Sequence, residues 1–190
     1  MRQGFSRVVL AAVLAVAAGS AAAQAPQVVT YKTAGEQALS AHLFAPSDVA
    51  AEPRPAILMF HGGGWVLGDY PTHARLIRDL VVNSGAVAVY VGYTPSPEAK
   101  YPTAIDQAFA ATQWVGEHGK DISVDSSRLA VAGNSVGGNM AAVVALKAKE
   151  AGKPKLSFQL LLWPVTDANF GNVSYDHFAE GHFLTRNMMK

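Results

Sequence analysis

The sequence has 190 residues, of which half are hydrophobic and 15% are charged, so it can bury a sizeable core as one globular domain. Its net charge of +1 gives no strongly basic field, so nucleic acid is not an expected partner. The absence of cysteine excludes disulfides, thiolate catalysis and cysteine-ligated metals.

The first 23 residues are predicted to be a signal peptide. Arg2 and Arg7 give a positive start, and residues 8–19 form an apolar stretch too short for a comfortable membrane span. The small residues 21–23 then offer a cleavage site before Gln24; the alternative is an uncleaved anchor. We therefore expect export to the periplasm or the medium, with no stable membrane span after cleavage.

The mature chain alternates between strand patterns and helix patterns. The predicted strands are residues 28–32, 39–44, 56–60, 86–91, 128–132 and 156–163, and the predicted helices are residues 72–83, 103–118 and 136–151. This alternation favours an α/β fold with a mostly parallel sheet flanked by helices, whose ligand sites lie at the carboxyl ends of the strands. The continuous apolar runs, including 156–163, indicate buried strands, and we expect Trp114 and Trp163 in the core.

One motif has the G-x-S-x-G pattern and lies between a predicted strand and a predicted helix. It consists of Gly133, Asn134, Ser135, Val136 and Gly137. A nucleophile elbow requires this context, because a sharp turn there lifts the serine hydroxyl above the sheet. The alternative is a serine that merely caps a helix in a glycine-rich turn. The pattern predicts that Ser135 is a nucleophile.

A second motif, HGGGW, follows the strand at 56–60. Three glycines, Gly62, Gly63 and Gly64, allow backbone N–H groups to approach a substrate closely and to form an oxyanion hole. His61 is expected to brace this loop by hydrogen bonding rather than to act as a base, and Trp65 could line the substrate pocket. A phosphate-binding loop is the alternative, but no Gly-Lys-Ser/Thr and no G-x-G-x-x-G accompanies it.

With these two motifs, the sequence resembles the hormone-sensitive-lipase-like carboxylesterases and lipases of the α/β-hydrolase fold. The resemblance rests on FHGGGWVLGD, YTPSPEAKYPTAIDQAFAATQWV, DSSRLAVAGNSVGGNMAAVVAL, LLLWPVTD and SYDHFAEGHFLTRNMMK, and runs from about Tyr31 to the last residue. It implies a serine esterase that needs no metal and no organic cofactor and takes a small-molecule ester as its partner.

The resemblance also assigns roles. Ser135 is the implied nucleophile, and the N–H groups of Gly63, Gly64 and Val136 are the implied oxyanion hole. The supporting residues of the two motifs are His61, Gly62, Gly133, Asn134 and Gly137. The family commonly has aspartate before the nucleophile and alanine after it, whereas this sequence has Asn134 and Val136.

A catalytic histidine is missing from this scheme. The fold orders its triad as serine, then acid, then histidine, and the family places the last two well beyond the WPVTD strand. His177 and His182 follow the serine but are expected to be cap or surface residues, and Asp167 is a weak candidate for the acid. The expectation is an α/β-hydrolase domain over residues 24–190, with a cap insertion beginning near residue 167. We expect this domain to be incomplete at its C-terminus and close to inactive alone.

Three functions remain open. The leading interpretation is a serine carboxylic-ester hydrolase acting on small or medium acyl esters through an acyl-enzyme intermediate. The first alternative is a non-catalytic binding module, or a dead enzyme, on a hydrolase fold. The second is a nucleotide-binding α/β domain, which the sheet pattern fits although a phosphate motif is absent.

Overall fold

Six strands form a single sheet with the order β1-β2-β4-β3-β5-β6. The computed structural model describes residues 26–34, 37–46 and 52–190, so the predicted signal peptide lies outside the described residues. The strands are β1 (Gln27–Ala34), β2 (Gln37–Phe44), β3 (Arg54–Phe60), β4 (Val87–Val91), β5 (Val124–Asn134) and β6 (Leu156–Leu162). β1, β2 and β4 pair antiparallel, whereas β3 pairs parallel with β4 and β5, and β5 pairs parallel with β6. The predicted α/β class is confirmed.

Helices connect the parallel strands and cover both faces of the sheet. They are α1 (Tyr70–Ser84), α2 (Thr103–His118) and α3 (Val136–Ala151), followed by two short helices, α4 (Val173–His177) and α5 (Arg186–Met189), and a 3₁₀ helix (Gly119–Ile122) follows α2. The larger core lies between the sheet and α2 with α3, and the smaller core lies between the sheet and α1. No helix in the described part of the chain is long and apolar enough to cross a bilayer.

The central strands read as continuous apolar runs because both of their faces are covered. In β3, Leu58 and Phe60 point into the larger core, while Met59 points into the smaller one, and all three are fully buried. Full burial of such a side chain stabilises the fold by about 1.5–3 kcal/mol relative to exposure. β3 and its neighbours are therefore a rigid platform, and their carboxyl ends hold the two glycine motifs.

The first turn of α1 begins earlier than predicted. The carboxylate of Asp69 accepts the Thr72 N–H at 3.0 Å, and the Thr72 hydroxyl reaches back to the Asp69 N–H at 3.2 Å. This capping box starts the helix at Tyr70 with a proline in its first turn, whereas the apolar periodicity marks only its later turns. Gly85 ends the helix in a left-handed conformation, φ 69°, which glycine adopts without strain.

The burial predicted for the last strand is wrong. Every residue of β6 is half-buried or exposed, and Trp163, which was expected in the core, is 71% exposed. β6 stands at one end of the strand order, so among the described residues only β5 pairs with it. An apolar run predicts a strand, but neighbours on both faces and both edges decide its burial.

Candidate active site

Ser135 occupies a sharp turn between β5 and α3. Its backbone has φ 56° and ψ −123°, a conformation that L-residues rarely adopt and that functional sites often retain. Backbone hydrogen bonds tie the turn to the segment that begins with the end of β6: the Ser135 N–H donates to Leu162 O at 2.9 Å, and the Val165 N–H donates to Ser135 O at 3.1 Å. The Ser135 hydroxyl makes no hydrogen bond to any residue that the structure describes.

The glycines on either side of this serine are required by close backbone contacts. A Cβ on Gly133 would lie 2.1 Å from Gly137 O, and a Cβ on Gly137 would lie 2.0 Å from Phe60 O. Both distances are far below any real carbon–oxygen contact, and both involve backbone atoms that cannot rotate away. The G-x-S-x-G spacing therefore lets the start of α3 pack directly on the ends of β5 and β3.

Two carbonyls of the glycine loop after β3 are anchored by hydrogen bonds, and this sets the direction of the two N–H groups that follow them. Gly62 O accepts the His61 Nδ1–H at 2.8 Å, and Gly63 O accepts the N–H groups of Val66 at 3.1 Å and Leu67 at 2.8 Å. In a planar trans peptide the C=O points opposite to the following N–H. Anchoring these two carbonyls thus turns the N–H groups of Gly63 and Gly64 the other way, where neither meets an acceptor within the described chain.

This loop requires positive φ at consecutive positions. Gly63 has φ 112°, Gly64 has φ 66°, and Trp65 follows with φ 60°. A Cβ on Gly63 would also lie 2.0 Å from Leu67 O. The glycines of the HGGG sequence therefore allow the backbone to form this tight loop, in which the N–H groups of Gly63 and Gly64 have no acceptor among the residues that the structure describes.

A hydrogen bond joins the loop to the serine turn. The Gly62 N–H donates to Asn134 Oδ1 at 3.1 Å, and a Cβ on Gly62 would lie 2.9 Å from Asn134 O. Val136 supplies a third N–H, since the first N–H groups of a helix have no intrahelical acceptor. The structure thus brings the two motifs together at the carboxyl ends of neighbouring strands.

His61 is buried, and its contacts hold this loop in place. It is 4% exposed, and its ring stacks on Tyr93 with a centroid distance of 4.1 Å. Burial lowers the pKa of His61, an effect that its hydrogen bond to the Gly62 carbonyl partly opposes. The Tyr93 hydroxyl donates to His61 O at 3.1 Å, so the ring and backbone of His61 are both occupied.

The other predicted candidates lie elsewhere. Asp167 is exposed, and its carboxylate accepts the Asn169 N–H at 3.1 Å in a local turn. His177 and His182 are exposed as well, and His182 bonds only to the nearby Glu180 carbonyl. Across residues 26–34, 37–46 and 52–190, no histidine or carboxylate hydrogen-bonds to Ser135.

A cavity of about 340 Å³ opens beside the glycine loop. Gly64 and Trp65 form one wall, Ile105 of α2 forms another, and Asn139 and Val143 of α3 form a third. Asn139 lies one helical turn beyond the serine, and its N–H donates to the serine carbonyl at 3.2 Å. The cavity can therefore receive part of a molecule whose reacting group lies near the turn.

Sequence reasoning missed two residues of this site, His73 and Tyr93. His73 Nε2 lies 3.3 Å from the Gly62 N, and the Tyr93 hydroxyl bonds the His61 carbonyl. Neither residue belongs to a motif, because each contacts backbone atoms of a distant segment. The capping box at Asp69 was readable, and it would have placed His73 in the first turn of α1, close to the loop.

Comparisons with known proteins agree with this fold. Residues 57–190 match a family described as the alpha/beta hydrolase fold. Esterase LipI of Mycobacterium tuberculosis is 49% identical over 112 residues, which cover 59% of this chain and 35% of LipI. The ethyl acetate hydrolase of Pseudomonas putida is 36% identical over 142 residues, which cover 73% of this chain and 44% of that protein.

Solved structures give the same result. The crystal structure of a thermostable esterase from Pseudomonas putida is 68% identical and superimposes with a TM-score of 0.80 over 86% of this chain and 51% of that chain. The chain thus spans about half the length of this esterase, and somewhat less of the two relatives above. The fold, the two motifs and these relatives together establish that the chain belongs to the α/β-hydrolase-fold family, among its hormone-sensitive-lipase-like carboxylesterases.

Proposed function

We propose that the protein is a serine carboxylic-ester hydrolase that works through an acyl-enzyme intermediate on small or medium acyl esters. One observation carries the proposal: the turn that presents Ser135 is bonded, through Asn134 and Gly62, to a loop with two unbonded N–H groups. A nucleophile beside preorganised donors is what acyl transfer needs. The esterase relatives support the same reaction.

In the proposed reaction, Ser135 Oγ attacks the ester carbonyl carbon and gives its proton to a general base. The carbonyl oxygen becomes an oxyanion that accepts hydrogen bonds from the N–H groups of Gly63, Gly64 and Val136. The tetrahedral intermediate then expels the alkoxide, which takes the proton from the base and leaves as the alcohol, while the acyl group stays on Ser135. Water, deprotonated by the same base, attacks the acyl carbon; the bond to Ser135 Oγ breaks, Oγ takes the proton back from the base, and the carboxylic acid leaves.

The general base is not among the hydrogen-bond partners of Ser135 in the described residues. The fold orders its triad as serine, acid and histidine, and the relatives are longer than this chain, since the matched residues cover only 44% and 51% of two of them. We therefore propose that an acid and a histidine outside the described site complete the triad in the whole protein. Residues 1–190 alone should then hydrolyse esters only slowly, through the oxyanion donors.

The cavity supports a limit on substrate size. Its volume of about 340 Å³ is near the lower end of the range of roughly 300–1,000 Å³ that small-molecule sites span. A small or medium acyl or alcohol group fits this space. The similarity to an ethyl acetate hydrolase is in keeping with a small ester.

The test uses the whole protein, including the acid and the histidine, and compares it with its Ser135→Ala variant on p-nitrophenyl esters from acetate to decanoate. We expect measurable turnover that declines with acyl length, and a loss of at least about 10³-fold in kcat for Ser135→Ala. Ser157→Ala, which changes an exposed serine of β6, is the matched control and should keep full activity. Equal rates for Ser135→Ala and the unaltered protein would contradict the proposal.

The free Ser135 hydroxyl also fits the second candidate, a binding module without catalysis. A serine-directed organophosphonate separates the two, because it labels only an activated serine. A mass increase at Ser135 supports the esterase, and no increase in the whole protein supports the binding module.

We also propose that the protein is exported. The positive start and short apolar stretch before residue 24 support this proposal. Sequencing the N-terminus of the protein recovered from periplasm or medium tests it: a start at Gln24 is expected, and an intact Met1 would contradict cleavage.

A further inference from the structure

The N–H of Gly62 lies between two acceptors. Asn134 Oδ1 is 3.1 Å from it and His73 Nε2 is 3.3 Å from it. The Gly62 carbonyl is held at the same time by His61 Nδ1 at 2.8 Å. The Gly62 N–H lies in the peptide plane before the Gly62 Cα, and the Gly62 carbonyl shares the plane after it with the Gly63 N–H, so holding both planes in place sets the direction of the Gly63 donor.

The hydrogen bonds of His73 determine which of its nitrogens carries the proton. Nδ1 lies 3.1 Å from Asp69 O, which can only accept, and the Thr72 hydroxyl beside Nδ1 donates its own proton to Asp69 O at 2.9 Å, so we assign the ring proton to Nδ1. Nε2 then has a lone pair for the Gly62 N–H. The other tautomer would set a donor against a donor at Gly62 and an acceptor against an acceptor at Asp69. The Nδ1–H tautomer alone satisfies both contacts.

The ring of His73 is itself firmly placed. Residue 73 is in the first turn of α1, which the capping box of Asp69 and Thr72 fixes. The Thr72 hydroxyl lies 3.0 Å from His73 Nδ1, and the His61 ring packs against His73 with centroids 5.7 Å apart. Side chains from α1, from the end of β3 and from the end of β5 thus converge on Gly62.

We propose that His73 is a positioning residue of the oxyanion hole, which it aligns through the Gly62 N–H. This inference rests on the proposed ester hydrolysis, since the hole matters only if an oxyanion forms. Asn134 already satisfies the Gly62 N–H, so the second acceptor adds little to folding. The effect of His73 is to restrict the peptide between His61 and Gly62 to one orientation, because moving its N–H away from either acceptor breaks a hydrogen bond.

This role predicts a specific kinetic pattern. His73→Leu removes the acceptor and roughly keeps the volume, whereas His73→Gln offers an amide oxygen close to the position of Nε2. We expect His73→Leu to lower kcat roughly two- to tenfold, the equivalent of one neutral hydrogen bond, with KM changed less than twofold. His73→Gln should recover to within about twofold of the unaltered protein.

The matched control is His118→Leu. His118 is also a half-buried helical histidine, which stacks on Trp114 at 4.8 Å and lies on α2 away from the loop. We expect its kcat to be unchanged. An unchanged kcat for His73→Leu, or equal losses for His73→Leu and His73→Gln, would overturn the positioning role.

A second readout does not need turnover. In the ¹⁵N-labelled protein, we expect the His73 ring to carry its proton on Nδ1, and the Gly62 amide to exchange its hydrogen faster in His73→Leu than in His73→Gln. A proton on Nε2 of the unaltered protein, or identical Gly62 exchange in the two variants, would overturn the inference. If the unaltered protein fails to hydrolyse esters while both expectations hold, the proposed function fails and the contact at Gly62 stands.

Discussion

Gly137 offers a sharp test of the packing between the nucleophile turn and β3. In Gly137→Ala the new Cβ would lie 2.0 Å from Phe60 O and 2.7 Å from both Phe60 C and His61 O. Real Cβ atoms essentially never come within 3.0 Å of another heavy atom, so α3 and the end of β3 must move apart by about 1 Å. All three contacts are to backbone atoms, so no side-chain rotation can relieve them.

Two opposing effects set how much Gly137→Ala changes the free energy of unfolding. Alanine is favoured over glycine within a helix by about 0.8–1.0 kcal/mol, which would stabilise α3. Forcing extra volume into a packed region typically costs 1–3 kcal/mol, and the backbone contacts place Gly137→Ala at or above the top of that range. We expect the overlap to win, with a net loss of about 2 kcal/mol in the free energy of unfolding.

Urea denaturation followed by circular dichroism measures this loss, with Gly152→Ala as the control. Gly152 has φ 74°, and a Cβ added there meets no atom within 4 Å. Gly152→Ala should therefore lower the free energy of unfolding by about 1 kcal/mol through backbone strain alone, without a clash. Both variants restrict the unfolded chain equally, so that contribution cancels. If Gly137→Ala is as stable as Gly152→Ala or more so, the reasoning from close backbone contact is wrong.

Three further predictions concern the same region and the core. Tyr93→Phe leaves His61 O without its buried donor and should lower the free energy of unfolding, measured in urea, by about 1–3 kcal/mol. The control is Tyr101→Phe, at a residue 90% exposed, which should change this free energy by less than about 0.5 kcal/mol. Equal effects of the two substitutions would contradict the role of the Tyr93 hydrogen bond. Trp65→Ala removes a wall of the cavity and should shift kcat/KM toward longer acyl esters; an unchanged chain-length profile would exclude Trp65 from the substrate pocket. Burial raises the pKa of Tyr31 and of Tyr93, so the folded state holds these two protons more tightly than the unfolded chain does. Their contribution to the free energy of unfolding should therefore be constant below about pH 10 and fall above it, by at most about 1.4 kcal/mol per pH unit for each tyrosine. A urea midpoint equal at pH 8 and pH 11 would refute this.

The sequence was sufficient to predict the α/β class and the bounds of two helices. The periodic apolar positions and the flanking Pro102 and Gly152 mark α2 and α3 as the structure has them. The two glycine motifs could be read as well, because local backbone geometry dictates their composition. The rule for carboxyl ends of parallel strands predicts that the two motifs share one edge of the sheet, but it does not predict that β3 and β5 are neighbours.

Other features depend on partners that a linear pattern does not contain. Trp163 looked like a core residue because it ends an apolar run, but its exposure is decided by which elements cover β6. His73 and Tyr93 were missed because each acts on a backbone group brought near by the fold. A side chain that bonds a distant peptide leaves no spacing rule in the sequence.

The backbone at Ser135 has a consequence for how this chain can vary. At φ 56° and ψ −123° a glycine would relieve strain of about 1–3 kcal/mol, so the most stable residue at this position is one that has no hydroxyl. Selection for stability alone would erase the serine, and only selection for its chemistry can keep it. At this position the most stable residue therefore differs from the residue that the proposed reaction needs, and any gain in stability must come from other positions.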